Sequence, residues 1–317
     1  MKWKKLGKIF DPTEHKLPND CEEFAQSPQA LVFDDFVRIY FSTRQKDKNG
    51  KFLSHVAFVD FDKDFKNIQK ISSQPVIDLG KLGCYDEHGI FPFNVVRNND
   101  KILGYISGWT RRVSVSIETS IGVSVSSNNG NAFKRVGDGP ILTSSLDEPF
   151  LVGDPFVAVF NGIYYMWYIY GTKWIQENEK DTPERIYKIG YATSKDGISW
   201  QKQNIKLIDN RLNANECQAL PSVIYHQEKY HMMFCYREAC DFRKNSRNAY
   251  RIGYAYSKDL INWVRDDENI GIELSKNDWD SEMMCYPQIF HCNDKVYLLY
   301  NGNKFGRYGF GLAVLEE

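Results

Sequence analysis

Short apolar runs and polar turns alternate along the whole chain with a fixed period. Five segments each open with a proline, continue through an apolar run and a polar turn, and end in an aromatic-rich run. They read SPQALVFDDFVRIYFSTR, FPFNVVRNNDKILGYISGW, DPFVAVFNGIYYMWYIYGT, LPSVIYHQEKYHMMFCYRE and YPQIFHCNDKVYLLYNGN. The prolines recur about every 65 residues, at Pro28, Pro92, Pro155, Pro221 and Pro287. Short runs rich in Tyr, Phe, Val and Ile between polar turns predict β-strands, two in each segment.

A second pattern follows in each repeat and predicts two further strands. IGYATSKDGISW and IGYAYSKDLINW are nearly identical, and IGVSVSSNNGNAF is a looser copy. The fourth strand of a repeat opens at an aromatic residue, which is Phe65, Phe133, Trp200 or Trp263. Four antiparallel strands repeated at this period are typical of the blade of a β-propeller.

The last repeat lacks a fourth strand, and the start of the chain supplies one. MKWKKLGKI aligns with ISWQKQNIK, so that Trp3 takes the place of Trp200. We therefore predict an all-β fold: a single five-bladed β-propeller domain over residues 1–317, with four antiparallel strands per blade. The N-terminal strand is expected to close the last blade and so remove an exposed sheet edge.

Composition and charge limit the classes of function that the chain is expected to have. The chain has 317 residues, is 42% hydrophobic and carries a formal net charge of −1, which gives no support for binding nucleic acid or an acidic membrane surface. It has no apolar run of 18 residues and no signal-peptide pattern at its start, so we expect a cytoplasmic location. The 7 cysteines are scattered without metal-type spacing, which predicts free thiols, no metal and no cofactor.

Candidate chemistry lies at the blade rim where each proline strand begins. Carboxylates recur five residues before a proline, at Glu23, Glu87, Glu216 and Glu282, and Asp154 directly precedes Pro155. Further candidates for substrate binding on this rim are Arg44, His88, Trp109, Arg237, Tyr286, Asn301 and Arg307. Carboxylates, guanidinium groups and aromatic faces together are typical of a sugar site. The repeated glutamates and arginines are equally compatible with turn capping and structural ion pairs.

At these residues the chain resembles a known enzyme superfamily. VGDPFVAVFNGIYYMWYIYG and NECQALPSVIYHQEKYHMMF are similar to two segments of the five-bladed glycoside hydrolases, which include arabinanases, xylosidases, invertases and levansucrases. The resemblance implies that Glu216 is the general acid and that Asp154 sets its pKa and stabilises the transition state. It also implies cleavage by paired carboxylates.

One position departs from the superfamily pattern. The superfamily has its base or nucleophile, an Asp, directly before the first-blade proline, and this chain has Ser27 there. Three replacements are open: Asp86 or Glu87, Glu22 or Glu23, and Asp11. The Tyr85–His88 segment is preferred because it gathers titratable groups on the second blade.

Three hypotheses of different classes follow. The first is a glycoside hydrolase-like enzyme acting on a glycosidic or activated-sugar bond. The second is a non-hydrolytic sugar-processing or transfer enzyme in cytoplasmic polysaccharide precursor synthesis, with a sugar-phosphate or nucleotide-sugar ligand. The third is a sugar-binding propeller without catalysis.

Overall fold

In the computed structural model, which describes residues 1–316, the strands within each unit pair with one another in antiparallel fashion. Unit 1 contains β2 (Glu23–Val32), β3 (Val37–Lys46), β4 (Phe52–Phe61) and β5 (Ile68–Ile71). Unit 2 contains β6 (Gly89–Asn98), β7 (Lys101–Arg111), β8 (Ile117–Ser126) and β9 (Lys134–Arg135). One parallel residue pair, Ser54 with Gly89, joins units 1 and 2 into an eight-stranded sheet.

The other three units are separate four-stranded sheets. Unit 3 contains β10 (Val152–Phe160), β11 (Ile163–Ile175), β12 (Glu184–Ser194) and β13 (Gln201–Lys202). Unit 4 contains β14 (Cys217–His226), β15 (Lys229–Arg237), β16 (Arg251–Ser257) and β17 (Trp263–Arg265). Unit 5 contains β18 (Cys285–Cys292), β19 (Lys295–Asn301), β20 (Phe310–Glu316) and β1 (Lys2–Phe10). The predictions of an all-β fold and of closure by the N-terminal strand are confirmed.

Within residues 1–316, helical structure is limited to four short 3₁₀ turns. They span Pro12–Glu14, Pro18–Asp20, Asp267–Asn269 and Asn303–Gly306. No helix among residues 1–316 has the length and apolar character that crossing a membrane requires.

Tight turns set the register between the first two strands of a unit. Asn161 and Gly162 connect β10 to β11 with φ angles of 50° and 76°. Two successive positive φ values define the type I′ turn, whose twist matches that of the strands it joins, and Asn-Gly suits it best. The Gln227–Glu228 and Asn293–Asp294 turns have the same sign of φ at both positions.

The first strands of the five units, here called the inner strands, contact one another in a ring. β2 contacts β6, β6 contacts β10, β10 contacts β14, β14 contacts β18, and β18 contacts β2. A buried apolar cluster lies at each of the five junctions between units. The repeated tryptophans belong to these clusters: Trp200 lies 5.9 Å from Tyr105, and Trp263 lies 6.3 Å from Trp167, measured between ring centroids. Sheet packing therefore holds the inner strands around one axis.

Candidate functional site

Each inner strand is interrupted at its repeated proline by an irregularity in the ladder. The residues before the prolines, here called the axial residues, are Ser27, Phe91, Asp154, Leu220 and Tyr286. Four of the five have φ between 48° and 57°, and the Phe91–Pro92 bond is cis. Left-handed backbone at non-glycine residues costs about 1–3 kcal/mol each and clusters at functional sites. The axial ring is therefore the candidate site.

A contact between non-neighbouring units shows that axial side chains meet inside the ring. Phe91 in unit 2 and Tyr286 in unit 5 lie 5.2 Å apart between ring centroids, in an edge-on arrangement. Neighbouring side chains hold the backbones of two other axial residues. Ser107 Oγ accepts the Asp154 amide at 3.0 Å, and Asn301 Oδ1 accepts the Ser27 amide at 2.8 Å. Asp154 and Ser27 are thus each positioned by a side chain of the preceding unit.

Asn301 uses both the oxygen and the nitrogen of its side-chain amide to hold the surrounding backbone. Its Nδ2 donates to the carbonyl oxygens of Ala25 and Gly309, each at 2.8 Å, and the side chain is fully buried. The structure therefore places Asn301 under the axial ring as a structural residue, which does not support the substrate contact expected for it.

Asp154 is the one carboxyl among the five axial residues. It is 8% exposed, and burial raises its pKa to about 7, although the Arg185 guanidinium and the Leu220 amide oppose the increase. No side chain of residues 1–316 donates a hydrogen bond to its carboxylate. A carboxyl with a pKa near neutrality can both hold and release a proton under ordinary conditions, as acid–base catalysis requires.

Glu216 has the opposite environment. Its carboxylate accepts the amides of Arg211 and Leu212 at 2.8 and 2.9 Å, Gln218 Nε2 at 2.9 Å and Arg265 Nη1 at 2.6 Å. Burial opposes ionisation, but the Gln218 and Arg265 hydrogen bonds outweigh it and lower the pKa. A general acid must carry a proton, so these contacts do not support the acid role expected for Glu216. The four donors favour the ionised carboxylate, and the acid role of Glu216 stays a prediction.

The same kind of buried ion pair recurs in units 2 to 5. In each, a carboxylate before the inner strand pairs with a cation in the outermost strand of its own unit. The pairs are Asp86–Arg135, Glu148–Lys202, Glu216–Arg265 and Asp280–Lys5. All four cations occupy one register position, opposite Ser124, Ala192, Ala255 and Ala313. Asp86 is therefore part of this repeated ion pair, and the catalytic role expected for it stays a prediction.

Two arginines at the ring have no carboxylate partner in the described chain. Arg44 Nε donates to Gln26 Oε1 at 3.0 Å, and its guanidinium lies 4.7 Å from the Phe24 ring. Arg44 also interacts electrostatically with Tyr286. Arg185, at the start of β12, is half-buried, and its side chain makes no hydrogen bond or ion pair among residues 1–316, yet its charge lowers the pKa of Asp154. The sequence analysis missed Arg185, because it lies beside a charged loop outside the repeated pattern.

Arg237 is fully enclosed near the same ring. It donates to Tyr187 Oη at 3.1 Å and to the carbonyls of Glu238 and Ala239 at 2.7 and 3.0 Å. The Phe242 ring covers its guanidinium at 3.5 Å. Arg237 therefore shapes the rim and adds positive charge beneath it, and the direct substrate contact expected for it is not supported.

The cluster expected on the second blade lies together on the rim of units 1 and 2. His88 Nδ1 is 3.3 Å from Glu87 Oε1, and its ring stacks on Trp109 at 6.0 Å. Glu87 Oε2 also accepts the Gly83 amide at 2.7 Å, and burial followed by the charge of Arg111 lowers the pKa of His88. No hydrogen bond or ion pair between described residues links this group to Asp154.

The remaining candidates are on the outer rim. Arg307 Nη2 pairs with Glu23 Oε1 at 2.6 Å, and Glu282 is exposed. Asp11 Oδ2 pairs with Lys8 and its Oδ1 accepts the Thr13 amide, so it caps a turn. Within residues 1–316, no group of three or more His, Cys, Asp or Glu side chains is arranged to hold a metal ion.

Sequence comparison finds full-length relatives. Two uncharacterized proteins from Mycobacterium tuberculosis, of strains CDC 1551 / Oshkosh and ATCC 25618 / H37Rv, are each 34% identical over 322 residues and cover 100% of both chains. A 1,2-β-oligomannan phosphorylase from Thermoanaerobacter sp. strain X514 is 28% identical over 155 residues, 47% of this chain and 48% of that protein. No protein-family profile matches the chain.

Structural comparison finds enzymes with the same fold. A glycoside hydrolase gives a TM-score of 0.74 at 14% identity over 99% of this chain and 93% of its own. The β-1,2-mannobiose phosphorylase from Listeria innocua, in complex with β-1,2-mannobiose, gives 0.68 at 13% identity over 98% and 96%. A thermostable family-43 glycoside hydrolase gives 0.66 at 14% identity over 94% and 91%. At such identities the likeness establishes the propeller fold.

Proposed function

The chain belongs to one family with the Mycobacterium tuberculosis proteins and is a divergent member of the five-bladed β-propeller glycoside hydrolase superfamily; from this premise we propose that it is a sugar-processing enzyme of the phosphorylase type. The five units would be its five blades. It would cleave or form a glycosidic bond beside Asp154, with inorganic phosphate in place of water.

The observation that carries the proposal is the make-up of the axial ring. It contains one carboxyl, Asp154, with a pKa of about 7, and a serine at the position expected for a base. Of the other base candidates, Asp86, Glu23 and Asp11 are held in ion pairs, Glu87 contacts His88 and the Gly83 amide, and Glu22 is exposed. Hydrolysis needs a second group to activate water or attack the sugar, whereas phosphate is itself an anionic nucleophile.

The reaction needs only one protein carboxyl. The protonated Asp154 carboxyl gives its proton to the glycosidic oxygen as the bond from that oxygen to the anomeric carbon breaks. A phosphate oxygen forms the new bond to the anomeric carbon. The products are a sugar 1-phosphate and a sugar with a free hydroxyl, and Asp154 regains a proton from hydrogen phosphate or water.

Positive charge at the ring supports phosphate as the second reactant. Arg44 and Arg185 have no carboxylate partner among the described residues, and the charge of Arg237 is buried against aromatic rings and carbonyl oxygens. Arginine suits phosphate because its donor fork matches the spacing of the oxygens. Two of the named relatives are phosphorylases of β-1,2-linked mannosides, which makes these the first substrates to test.

The test is turnover of β-1,2-mannobiose and longer β-1,2-oligomannans with and without inorganic phosphate. We expect mannose 1-phosphate to form only when phosphate is present, and Asp154→Asn to reduce the rate about 10³-fold, within the range of general acid catalysis. Free sugar released without phosphate would establish a hydrolase and overturn the proposal.

Sugar binding measured by calorimetry without any product would favour the second candidate, a binding propeller, which the Ser27 position supports. Turnover of a nucleotide-linked or phosphorylated sugar alone would favour a role in polysaccharide precursor synthesis. That substrate class and a cytoplasmic location stay predictions.

A further inference from the structure

A cavity of about 590 Å³ opens on the rim between units 3 and 4. This volume is within the range of small-molecule sites. Its lining comes from the end of β11, the segment before β14 and the segment after β15: Ile175, Glu177, Asn213, Ala214, Asn215, Glu238, Ala239, Cys240 and Asn248. Apolar side chains beside amides and carboxylates suit the C–H face and the hydroxyls of a sugar ring.

The lining is acidic. It includes the carboxylates of Glu177 and Glu238 and no basic side chain. Asn213 Nδ2 donates to Glu238 Oε2 at 2.7 Å, which orients that carboxylate and leaves its other oxygen for a ligand. Burial, with a contribution from Glu177, raises the pKa of the Cys240 thiol to about 11, so the thiol adds no charge near neutral pH.

The cavity adjoins the axial ring. Arg237 Nη1 holds the carbonyls of Glu238 and Ala239, and Ile175 and Cys240 pack against the buried cluster that contains Leu220 and Tyr286. β11 ends at Ile175, next to Trp174, whose partner across the ladder is Arg185. A ligand in the cavity therefore lies next to the residues that surround Asp154.

The two regions differ in charge, basic at the ring and acidic at the rim cavity. We propose that the rim cavity between units 3 and 4 binds the leaving-group sugar, and that Glu177 and Glu238 make it select an uncharged sugar over an anionic one. This inference rests on the proposed function, because it assumes a reaction at Asp154. It orients the substrate, with the phosphate and the sugar it attacks at the axis and the departing sugar toward the cavity.

Matched acceptors test the inference in the synthetic direction. With mannose 1-phosphate as donor, mannose is compared with mannuronate, in which a carboxylate replaces the primary alcohol. Glu177→Gln and Glu238→Gln are each expected to raise the mannuronate-to-mannose ratio of kcat/KM about tenfold, since removing a like charge in contact is worth roughly that factor. Glu179→Gln is the matched control, an exposed carboxylate of the same loop outside the cavity lining, and should leave the ratio unchanged.

The outcomes separate the inference from the proposed function. If Asp154→Asn abolishes phosphate-dependent turnover but both cavity variants keep the wild-type ratio, the inference is overturned and the function stands. If wild type shows no phosphate-dependent turnover, the proposed function fails, and the cavity is then judged by binding alone. Saturation-transfer NMR with mannose and mannuronate on the same variants measures that binding. Equal binding of both sugars by wild type would overturn the proposed selectivity.

Discussion

Asp154 and Glu216 are buried carboxyl groups at the starts of neighbouring inner strands, yet their surroundings give them opposite properties. Glu216 receives four hydrogen bonds, two of them from backbone amides, and its pKa is lowered. Asp154 receives none from a side chain, and its pKa is raised to about 7. Burial alone therefore does not identify a proton donor in this fold; the number of donors facing the carboxylate decides.

The repeated ion pairs explain why acidic residues recur before the inner strands. Each pair connects that segment to the outermost strand of the same sheet, across the width of a unit. Glu216 is one of four such groups, whereas Asp154 has no equivalent in the other axial positions, which are Ser27, Phe91, Leu220 and Tyr286. A carboxylate that recurs in four units indicates a structural role, whereas a carboxyl present at one axial position indicates a functional role.

The largest expected effect separates the two carboxyls by activity. Asp154→Asn removes the one carboxyl among the axial residues and should lower phosphate-dependent turnover about 10³-fold, whereas Glu216→Gln should retain most of the activity of each folded molecule. Single-turnover rates normalised to folded protein measure this. An equal loss in both variants would mean that Glu216 takes part in the chemistry.

The free energy of unfolding should depend more on Glu216 than on Asp154, which is the reverse of the order expected for activity. Glu216→Gln leaves Arg265 without its counter-ion and should reduce the free energy of unfolding by about 3–5 kcal/mol, the usual effect of breaking a buried pair. Glu148→Gln, which breaks the equivalent pair in unit 3, is the matched comparison and should behave alike. Urea unfolding followed by fluorescence measures both, and a loss below about 1 kcal/mol would contradict the structural role.

The pH dependence follows from the raised pKa of Asp154. The acid must be protonated, so the rate should fall about tenfold per pH unit above about 7. Because the folded pKa lies above the unfolded value of about 3.9, the protonated group favours the folded state, and this contribution is lost as pH rises from about 4 to 7. Asp154→Asn should therefore raise Tm relative to wild type more at pH 8 than at pH 5. The opposite order would show that the folded pKa is not raised.

A smaller gain is expected from restoring a carboxylate at the first axial position. Ser27→Asp should produce phosphate-independent release of free sugar, roughly tenfold above wild type, because the new carboxylate can activate water. Aspartate tolerates the left-handed backbone at this position. Ser27→Asn has nearly the same shape without a base, and hydrolysis by both variants would exclude this explanation.

The smallest effect belongs to the rim pair of Glu23 and Arg307. Glu23→Gln should leave the free energy of unfolding nearly unchanged, because the pair is partly exposed and screened by water. Thermal unfolding in low and high salt measures it. A larger, salt-independent loss would place Glu23 among the structural carboxylates.

The sequence was most informative where residues repeat. Pro28 to Pro287 marked the inner strands, and Trp3 marked the strand that closes the last sheet. The ion pairs also have a repeated signal that was not used: the cation lies two residues after the aromatic residue that opens the fourth strand, as in Trp200–Lys202 and Trp263–Arg265.

The site was harder to predict because its chemistry depends on contacts distant in sequence. The resemblance drew attention to Glu216, but the surroundings of this carboxylate include Arg265, 49 residues further along the chain. Nothing at Asp154 in the sequence indicates that side-chain donors are missing around it. Arg185 lies outside the repeat, and its effect on the pKa of Asp154 depends on how β12 packs in the folded chain.

The pairing of β1 with β20 affects how the chain reaches its folded state. Lys2 is opposite Glu316, so β1 has no partner until β20, far later in the chain, has been made. Units 1 to 4 use strands close in sequence and can assemble early, whereas ring closure is a long-range step and should be slow. The lysines of β1, at positions 2, 4, 5 and 8, give the waiting strand a charge that discourages pairing with other chains.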